Sequence, residues 1–333
     1  MQSLNSPLPF PDRLPDGYHY QGEPVKFDPV RHLQLEPPES VLRLGDLGYG
    51  PDQIKNCSTN FAVSSAVRLL SDEGVEVMLD VARSLKKYAV NCERIENMVR
   101  GGTYQSEFLR DFCMSREVTE FLSDIFETPV APHTMPLHLG HLNFAPDDLD
   151  RAVDKWHYDT LGLDYVLMLS DPTELQGGDF QYFLGTRDEA QEFSDKGIPI
   201  PEDQAVSPHF PGAGYAIVLH GNMVVHRATR LTQRAERITL VNGYVPLNSQ
   251  AEDVCRFADL TLVDPHHVLF AEWARHKAWL SVGKLHELIE TIPYTDDRQT
   301  ITEHLKRAIA DIETAIDDIS EDNENASMIH YGD

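Results

Sequence analysis

The chain has 333 residues, with 28 lysines and arginines against 54 aspartates and glutamates, and a formal net charge of −26. This excess of negative charge repels phosphates and anionic membrane surfaces, so neither nucleic acid nor a membrane is expected as a partner. The four cysteines form no CxxC pair, which argues against a structural zinc site and a disulfide framework. Neither a leader peptide nor an apolar run of about 20 residues is found, so we expect a soluble cytoplasmic protein.

The sequence divides into four stretches around a single catalytic domain. Residues 1–60 are rich in proline, which lacks a backbone donor, and predict an extended N-terminal arm. Residues 61–263 hold the predicted core, and residues 264–320 form a helical extension. Residues 321–333 are a polar tail that we expect to fray.

In chain order, helical patterns come first. Apolar residues at helical spacing predict a helix within 61–89, with Ser71 at its start signal. Two more helices are predicted at Ser106–Phe112 and Ser115–Phe126. After them the apolar period changes to two, which predicts a strand along 137–143.

A short acidic helix is then predicted at 146–153, before a block of short strands. The strand-like runs are Tyr165–Ser170, Asp179–Leu184, Tyr215–Leu219, Met223–Val225 and Ile238–Val245. Residues 186–214 are either a lid over a site or a plain surface loop, and helices return at 268–282 and 301–319. Many short strands in one block are typical of a sandwich or jelly roll. We therefore expect a mainly β fold with helical flanks, in which a double-stranded β-helix (jelly-roll, cupin-like) core is braced by N-terminal and C-terminal α-helices.

Two histidines and an aspartate occur in this block. His157 and Asp159 are two positions apart, so on a strand their side chains point to the same face. His226 ends a short apolar run and can supply a third ligand from a neighbouring strand. Two imidazoles and one carboxylate are the facial triad that binds non-haem Fe(II) and leaves coordination positions open. Taken alone, His157 and Asp159 could also be a surface histidine beside an acid.

Two arginines are candidate anion-binding residues. Arg237 and Thr239 share one face of an apolar strand, and an inward arginine is costly unless it meets an anion. A carboxylate suits both donors. Arg100 opens a glycine-rich turn and has two interpretations, a solvated loop charge or a bidentate clamp for a substrate carboxylate.

Four short motifs follow one another here: WHYD (156–159), GGDF (177–180), VVHR (224–227) and RIT (237–239). In this order they resemble the Fe(II)/2-oxoglutarate-dependent oxygenases, in particular the phytanoyl-CoA hydroxylase-like and prolyl-hydroxylase-like branches. The resemblance covers roughly residues 137–246, and residues 71–88 are similar to the supporting helix of these enzymes.

The resemblance implies roles for individual side chains. The catalytic iron ligands would be His157, Asp159 and His226. The 2-oxoglutarate-binding residues would be Arg237, Thr239 and, from the preceding strand, Asn143 or His141. The histidines without a motif partner, which we expect not to ligate metal, are His133, His138, His209 and His220.

The family's chemistry implies oxidation of an unactivated C–H bond with O2, and conversion of 2-oxoglutarate to succinate and CO2. Hydroxylation is the default, because Asp159 occupies the position that halogenases of this superfamily keep small; desaturation and ring closure are alternatives. The substrate would be a small molecule, such as an amino acid or other carboxylate held by Arg100 or Arg110. Competing hypotheses are a jelly-roll protein that binds metal or ligand without turnover and a hydrolytic metalloenzyme, and Arg237 counts against both. The helical flanks are a candidate homodimer interface.

Overall fold

The computed structural model describes residues 5–248, 251–321 and 327–332. Its strands are β1 (Leu33–Glu36), β2 (Val41–Arg43), β3 (Phe61–Ser64), β4 (Val67–Leu70), β5 (Met98–Val99), β6 (Val130–Pro132), β7 (His141–Phe144), β8 (Asp154–His157), β9 (Leu163–Met168), β10 (Phe180–Phe183), β11 (Ala205–Val206), β12 (Tyr215–Leu219), β13 (His226–Ala228) and β14 (Ile238–Pro246). Its α-helices are α1 (Pro29–His32), α2 (Pro51–Ile54), α3 (Asp72–Leu85), α4 (Glu107–Cys113), α5 (Arg116–Phe126), α6 (Arg187–Asp195), α7 (Phe257–Thr261), α8 (His266–Thr291) and α9 (Arg298–Ser320). Among the described residues, no helix is both long enough and apolar enough to cross a membrane.

The strands form two antiparallel sheets. The larger sheet has ten strands in the order β1-β4-β12-β9-β14-β7-β5, with β3 also on β12, β2 on β3 and β6 on β14. The smaller sheet has four strands in the order β11-β10-β13-β8, so β8 lies at its edge. The predicted β-rich core is therefore present, with the two longest helices, α8 and α9, at its C-terminal end.

Alternation along β9 sorts the side chains of the larger sheet onto two faces. Tyr165 and Leu167 pack with apolar residues of α3, α4 and α5. Val166 and Met168 point the other way and pack with Phe180 of the smaller sheet. The larger sheet therefore has helices on one face and the smaller sheet on the other.

The helix predicted within 61–89 begins at its predicted start signal, but the residues before that signal are not helical. The side chain of Ser71 accepts a hydrogen bond from Gly74 N and caps α3, which confirms the start signal. The preceding stretch forms β3 and β4 instead, whose apolar residues are buried in the core. A short continuous apolar run is compatible with a helix or with a strand buried on both faces, and spacing alone does not separate the two. The predicted helices at α4 and α5 are confirmed, each with a serine N-cap.

Two other predictions of local structure are wrong. Residues 146–153 form no helix, because Glu96 accepts hydrogen bonds from Asp147 N at 3.2 Å and from Arg151 Nη1 at 2.8 Å and holds this stretch as a loop. The run 223–225 is a turn, in which the first two backbone amides donate to His220 O, and the strand β13 starts one residue later.

The predicted long loop and the predicted N-terminal arm both contain regular secondary structure. Within 186–214, the capping box of Thr186 and Glu189 starts α6. The predicted arm contributes β1 and β2 to the larger sheet. Of the polar tail, residues 322–326 and 333 lie outside the described residues, while Tyr331 and Gly332 form backbone hydrogen bonds with Trp156 of β8.

Candidate metal and cosubstrate site

Three predicted ligands lie together where the smaller sheet faces the larger one. His157 ends β8 and His226 begins β13, and the two residues are partners across this antiparallel pair. Their ring centroids are 4.2 Å apart. Asp159 follows β8, and its backbone amide donates to Gly221 O at 2.9 Å. The ligand atoms of the two histidines and the aspartate all lie within 4.8 Å of one another.

Hydrogen bonds fix which nitrogen of each ring is free. His157 Nδ1 lies 2.6 Å from Lys155 O, and His226 Nδ1 lies 2.9 Å from Val224 O. A carbonyl oxygen only accepts, so each Nδ1 carries the proton and each Nε2 has a free lone pair. Both Nε2 atoms face Asp159, at 3.4 Å from Oδ1 for His157 and 3.4 Å from Oδ2 for His226. The lone pairs of the two Nε2 atoms therefore face carboxylate oxygens, which also carry lone pairs. A cation between these atoms would remove the repulsion, and a metal ion can supply it.

The protonation states agree with a metal site. Burial lowers the pKa of His226 to about 4, so the ring is neutral at pH 7. Burial by itself would raise the pKa of Asp159. The electrostatic interactions of its carboxylate with the His226 and His157 rings have the larger effect and hold this pKa below its usual range. Two imidazoles and a carboxylate are a donor set that fits non-haem Fe(II).

Arg237 lies in the same cavity, immediately before β14. Its side chain is 2% exposed, and Nε donates to Gly178 O at 2.7 Å. Within the described part of the chain no carboxylate lies within ion-pair distance of this guanidinium. Burial lowers its pKa to about 10, so it is still charged at pH 7. A buried cation of this kind requires an anion, and a carboxylate matches its planar donors.

Thr239 and Asn143 complete this end of the cavity. They are partners across β14 and β7, and Arg237, Thr239 and Val241 line the cavity from alternate positions, as their spacing predicted. The amide oxygen of Asn143 is buried and accepts no hydrogen bond from the described residues. The structure thus brings the predicted metal ligands and cosubstrate-binding residues to one cavity of about 100 Å³.

Arg100 also lines this cavity, but its position contradicts both interpretations of the sequence. Its side chain is buried, so it is not a solvated loop charge. Its Nε and Nη2 atoms donate to both carboxylate oxygens of Asp264, at 2.8 and 2.6 Å. A substrate carboxylate would have to displace this buried partner, so Arg100 is not a free clamp.

Comparison with known protein families and with curated protein sequences gives no match. Solved structures similar to this chain include the non-heme alpha ketoglutarate dependent carbocyclase SnoK from nogalamycin biosynthesis, with 15% identity over 61% of this chain and 83% of that chain and a TM-score of 0.41. HygX from Streptomyces hygroscopicus, with nickel, 2-oxoglutarate and hygromycin B bound, has 16% identity over 58% and 84%, with a TM-score of 0.38. The nickel complex of the non-heme monooxygenase ThoJ has 13% identity over 80% and 98%, with a TM-score of 0.41. These overlaps are partial.

A second cluster with metal-ligand side chains consists of His133, Cys255 and His276. Here the hydrogen bonds differ from those of the first cluster. Met135 N donates to His133 Nδ1 at 3.2 Å, so His133 carries its proton on Nε2, which lies 3.5 Å from Cys255 Sγ. In this arrangement His133 therefore has no lone pair free for a metal.

Sequence reasoning missed two residues that pack against Asp159. A Cβ atom at Gly221 would lie 2.0 Å from Asp164 Oδ2 and 3.0 Å from Asp159 Oδ2. Burial and the charge of Asp159 raise the pKa of Asp164 well above its usual value, so Asp164 is a neutral acid with one proton to donate to Asp159. The signal in the sequence was an isolated acid in the apolar run Leu163–Leu169.

Proposed function

We propose that this protein is an Fe(II)- and 2-oxoglutarate-dependent oxygenase that oxidises, by default hydroxylates, an unactivated C–H bond of a small molecule. The observation that carries the proposal is a buried, charged Arg237 with no described carboxylate within ion-pair distance, in the same cavity as His157, Asp159 and His226. A metal site alone does not explain this cation. A dicarboxylate that reaches from the metal to Arg237 explains both.

The chain's own residues have separate tasks in this proposal. Bound iron and 2-oxoglutarate would supply oxidative decarboxylation, with succinate and CO2 as the products of the cosubstrate and oxygen delivered to the substrate. His157, Asp159 and His226 would hold the metal, and the hydrogen bonds from each Nδ1 to a backbone carbonyl fix the ring orientations. Arg237 and Thr239 would hold the distal carboxylate of the cosubstrate.

We also propose that the two antiparallel sheets form the walls of a double-stranded β-helix. One support is the face-to-face packing of the two sheets. The other is that each sheet carries different members of the predicted site. The smaller sheet carries His157 and His226, while the larger sheet carries Thr239 and Asn143. In this arrangement metal and cosubstrate bind between the sheets.

The charges of the cavity point to an uncharged substrate. Three arginines of its wall are each paired with an aspartate: Arg94 with Asp154 at 2.8 Å, Arg100 with Asp264 at 2.6 Å and Arg256 with Asp259 at 2.7 Å. Arg227 stacks on Trp156 and donates to Gln181. With Arg237 used by the cosubstrate, these pairs give little attraction to a further anion. We therefore propose a neutral small molecule in place of the amino acid or carboxylate expected from the sequence.

The test is anaerobic addition of Fe(II) and 2-oxoglutarate to the purified protein, which should produce the weak visible charge-transfer band of the iron chelate. His157→Ala should abolish the band, whereas the same change at the exposed His286 should not. Arg237→Ala should keep metal binding but raise the 2-oxoglutarate requirement about tenfold or more, the effect of losing a hydrogen-bonded charge; Arg298→Ala, on the surface, is its control. Metal binding without a band would favour the metal-binding protein without turnover.

A further inference from the structure

The C-terminal segment, residues 327–332, is attached through its last two residues to the free edge of the smaller sheet. Tyr331 N donates to Trp156 O at 2.7 Å, and Trp156 N donates to Gly332 O at 3.0 Å. Trp156 belongs to the edge strand β8 and directly precedes the predicted ligand His157. The segment therefore covers the open edge of the strand that carries a metal ligand.

Two side chains anchor the segment. Tyr331 packs on the apolar cluster that contains Trp156, and its ring centroid lies 6.3 Å from that of Tyr158. His330 Nε2 lies 3.5 Å from Glu93 Oε1. Glu93 stands between Cys92 and Arg94, both of which line the cavity. The segment is thus attached to β8 and to another part of the cavity wall.

These anchors place Met328 in the cavity wall. Its side chain is partly buried and lines the cavity that holds the metal and cosubstrate residues. The wall also has the apolar side chains Ile95, Leu260 and Val263. Methionine is flexible and polarisable, so it adapts its shape to an apolar ligand surface.

We propose that the C-terminal segment completes the substrate-binding wall, and that Met328 contacts the substrate through its side chain and helps to set specificity. The substrate would then present an apolar surface to Met328, Ile95, Leu260 and Val263. The identity of the bound molecule as a substrate rests on the proposed oxygenase function, whereas the position of Met328 beside the metal site does not.

The test uses the full chain with ¹³C-labelled methionine methyl groups and Mn(II) as a paramagnetic probe. Met98 lines the same cavity and is the internal reference, and Met78 lies among the helices behind the larger sheet. Substitution by leucine assigns each signal. Mn(II) should broaden Met328 and Met98 more strongly than Met78. Broadening of Met98 without Met328 would overturn the placement of Met328, while no broadening at Met98 would instead contradict the metal site.

A matched pair of variants tests the anchor. Tyr331→Ala removes the packing against β8, so Met328 should lose at least half of its broadening while Met98 keeps its own. Tyr294→Ala makes the same chemical change at a fully exposed position and should alter neither signal. Unchanged broadening of Met328 in Tyr331→Ala would contradict the anchoring role.

The apolar contact surface is tested with xenon, which occupies apolar cavities without forming hydrogen bonds. The Met328 and Met98 methyl signals should both shift with xenon pressure. Met328→Trp fills the space and should remove the shift of Met98. If xenon shifts the Met98 methyl signal but not the Met328 signal, the proposed contact surface is wrong, whether or not the protein binds iron.

Discussion

Arg237 and Gly178 are fitted to each other: Arg237 Nε donates to Gly178 O at 2.7 Å, and a Cβ atom at position 178 would lie 2.9 Å from Arg237 Cδ. Gly178 also has φ of +72°, which residues with a side chain rarely adopt. The second glycine of the GGDF motif therefore leaves the space that the side chain of Arg237, the predicted cosubstrate-binding residue, requires.

Gly178→Ala should displace the guanidinium and weaken 2-oxoglutarate binding about tenfold or more, by loss of a charge-assisted contact. Metal affinity should change little. Titration of 2-oxoglutarate into the metal-loaded variant measures the effect. Gly17→Ala is the control, since Gly17 has φ of +90° with nothing within 4 Å of its added Cβ. Equal losses of cosubstrate affinity in the two variants would refute the specific fit.

A second glycine packs against Asp159, the predicted metal ligand. Gly221→Ala should push against Asp159 and Asp164, since the added Cβ would lie 3.0 and 2.0 Å from their Oδ2 atoms. Displacement of a ligand or its supporting partner typically costs about 10- to 100-fold in metal affinity. A Co(II) titration measures this loss, and Gly212→Ala, with open space around its Cβ, should bind metal normally. Unchanged metal affinity in Gly221→Ala would contradict this prediction and show that the turn can move away from the two aspartates.

Local patterns in the sequence predicted that His157, Asp159, His226 and Arg237 would share one site, because these residues lie in or directly beside strands, where side chains two positions apart point to the same face. Local patterns gave wrong predictions where a residue's role depends on a contact with a residue that is distant in sequence. Asp264 neutralises Arg100 from a position beside α8, and no local pattern around Arg100 records that pair. The strands β3 and β4 were missed for a related reason: burial on both faces removes the alternation that identifies a strand.

The buried pair of Arg100 and Asp264 should be important for folding. The side chains are 9% and 0% exposed, and removal of one partner leaves the other charge buried without compensation. Asp264→Ala should therefore lower the free energy of unfolding by about 3–5 kcal/mol. The double variant Arg100→Met, Asp264→Leu should lose much less, because no charge remains. Denaturant unfolding compares the two, and a double variant no more stable than Asp264→Ala would contradict this account.

Glu272 on α8 should make stability depend on pH. Its side chain is buried and accepts hydrogen bonds from Tyr104 Oη at 2.5 Å and Leu137 N at 3.0 Å. Burial raises its pKa from 4.5 to about 8, despite these hydrogen bonds. Between these two values the folded protein holds a proton that the unfolded chain has released. The free energy of unfolding should therefore fall as pH rises, by about 1.4 kcal/mol per pH unit from this group.

Glu272→Gln cannot ionise and should lack this fall between pH 5 and 8, whereas Glu290→Gln, at an exposed position of the same helix, should keep it. Urea unfolding of the three proteins at several pH values provides the measurement. Other groups also titrate in this range, so the informative quantity is the difference in slope between Glu272→Gln and the unmodified chain. Parallel slopes would mean that Glu272 is already ionised in the folded protein, with Tyr104 and Leu137 stabilising its charge.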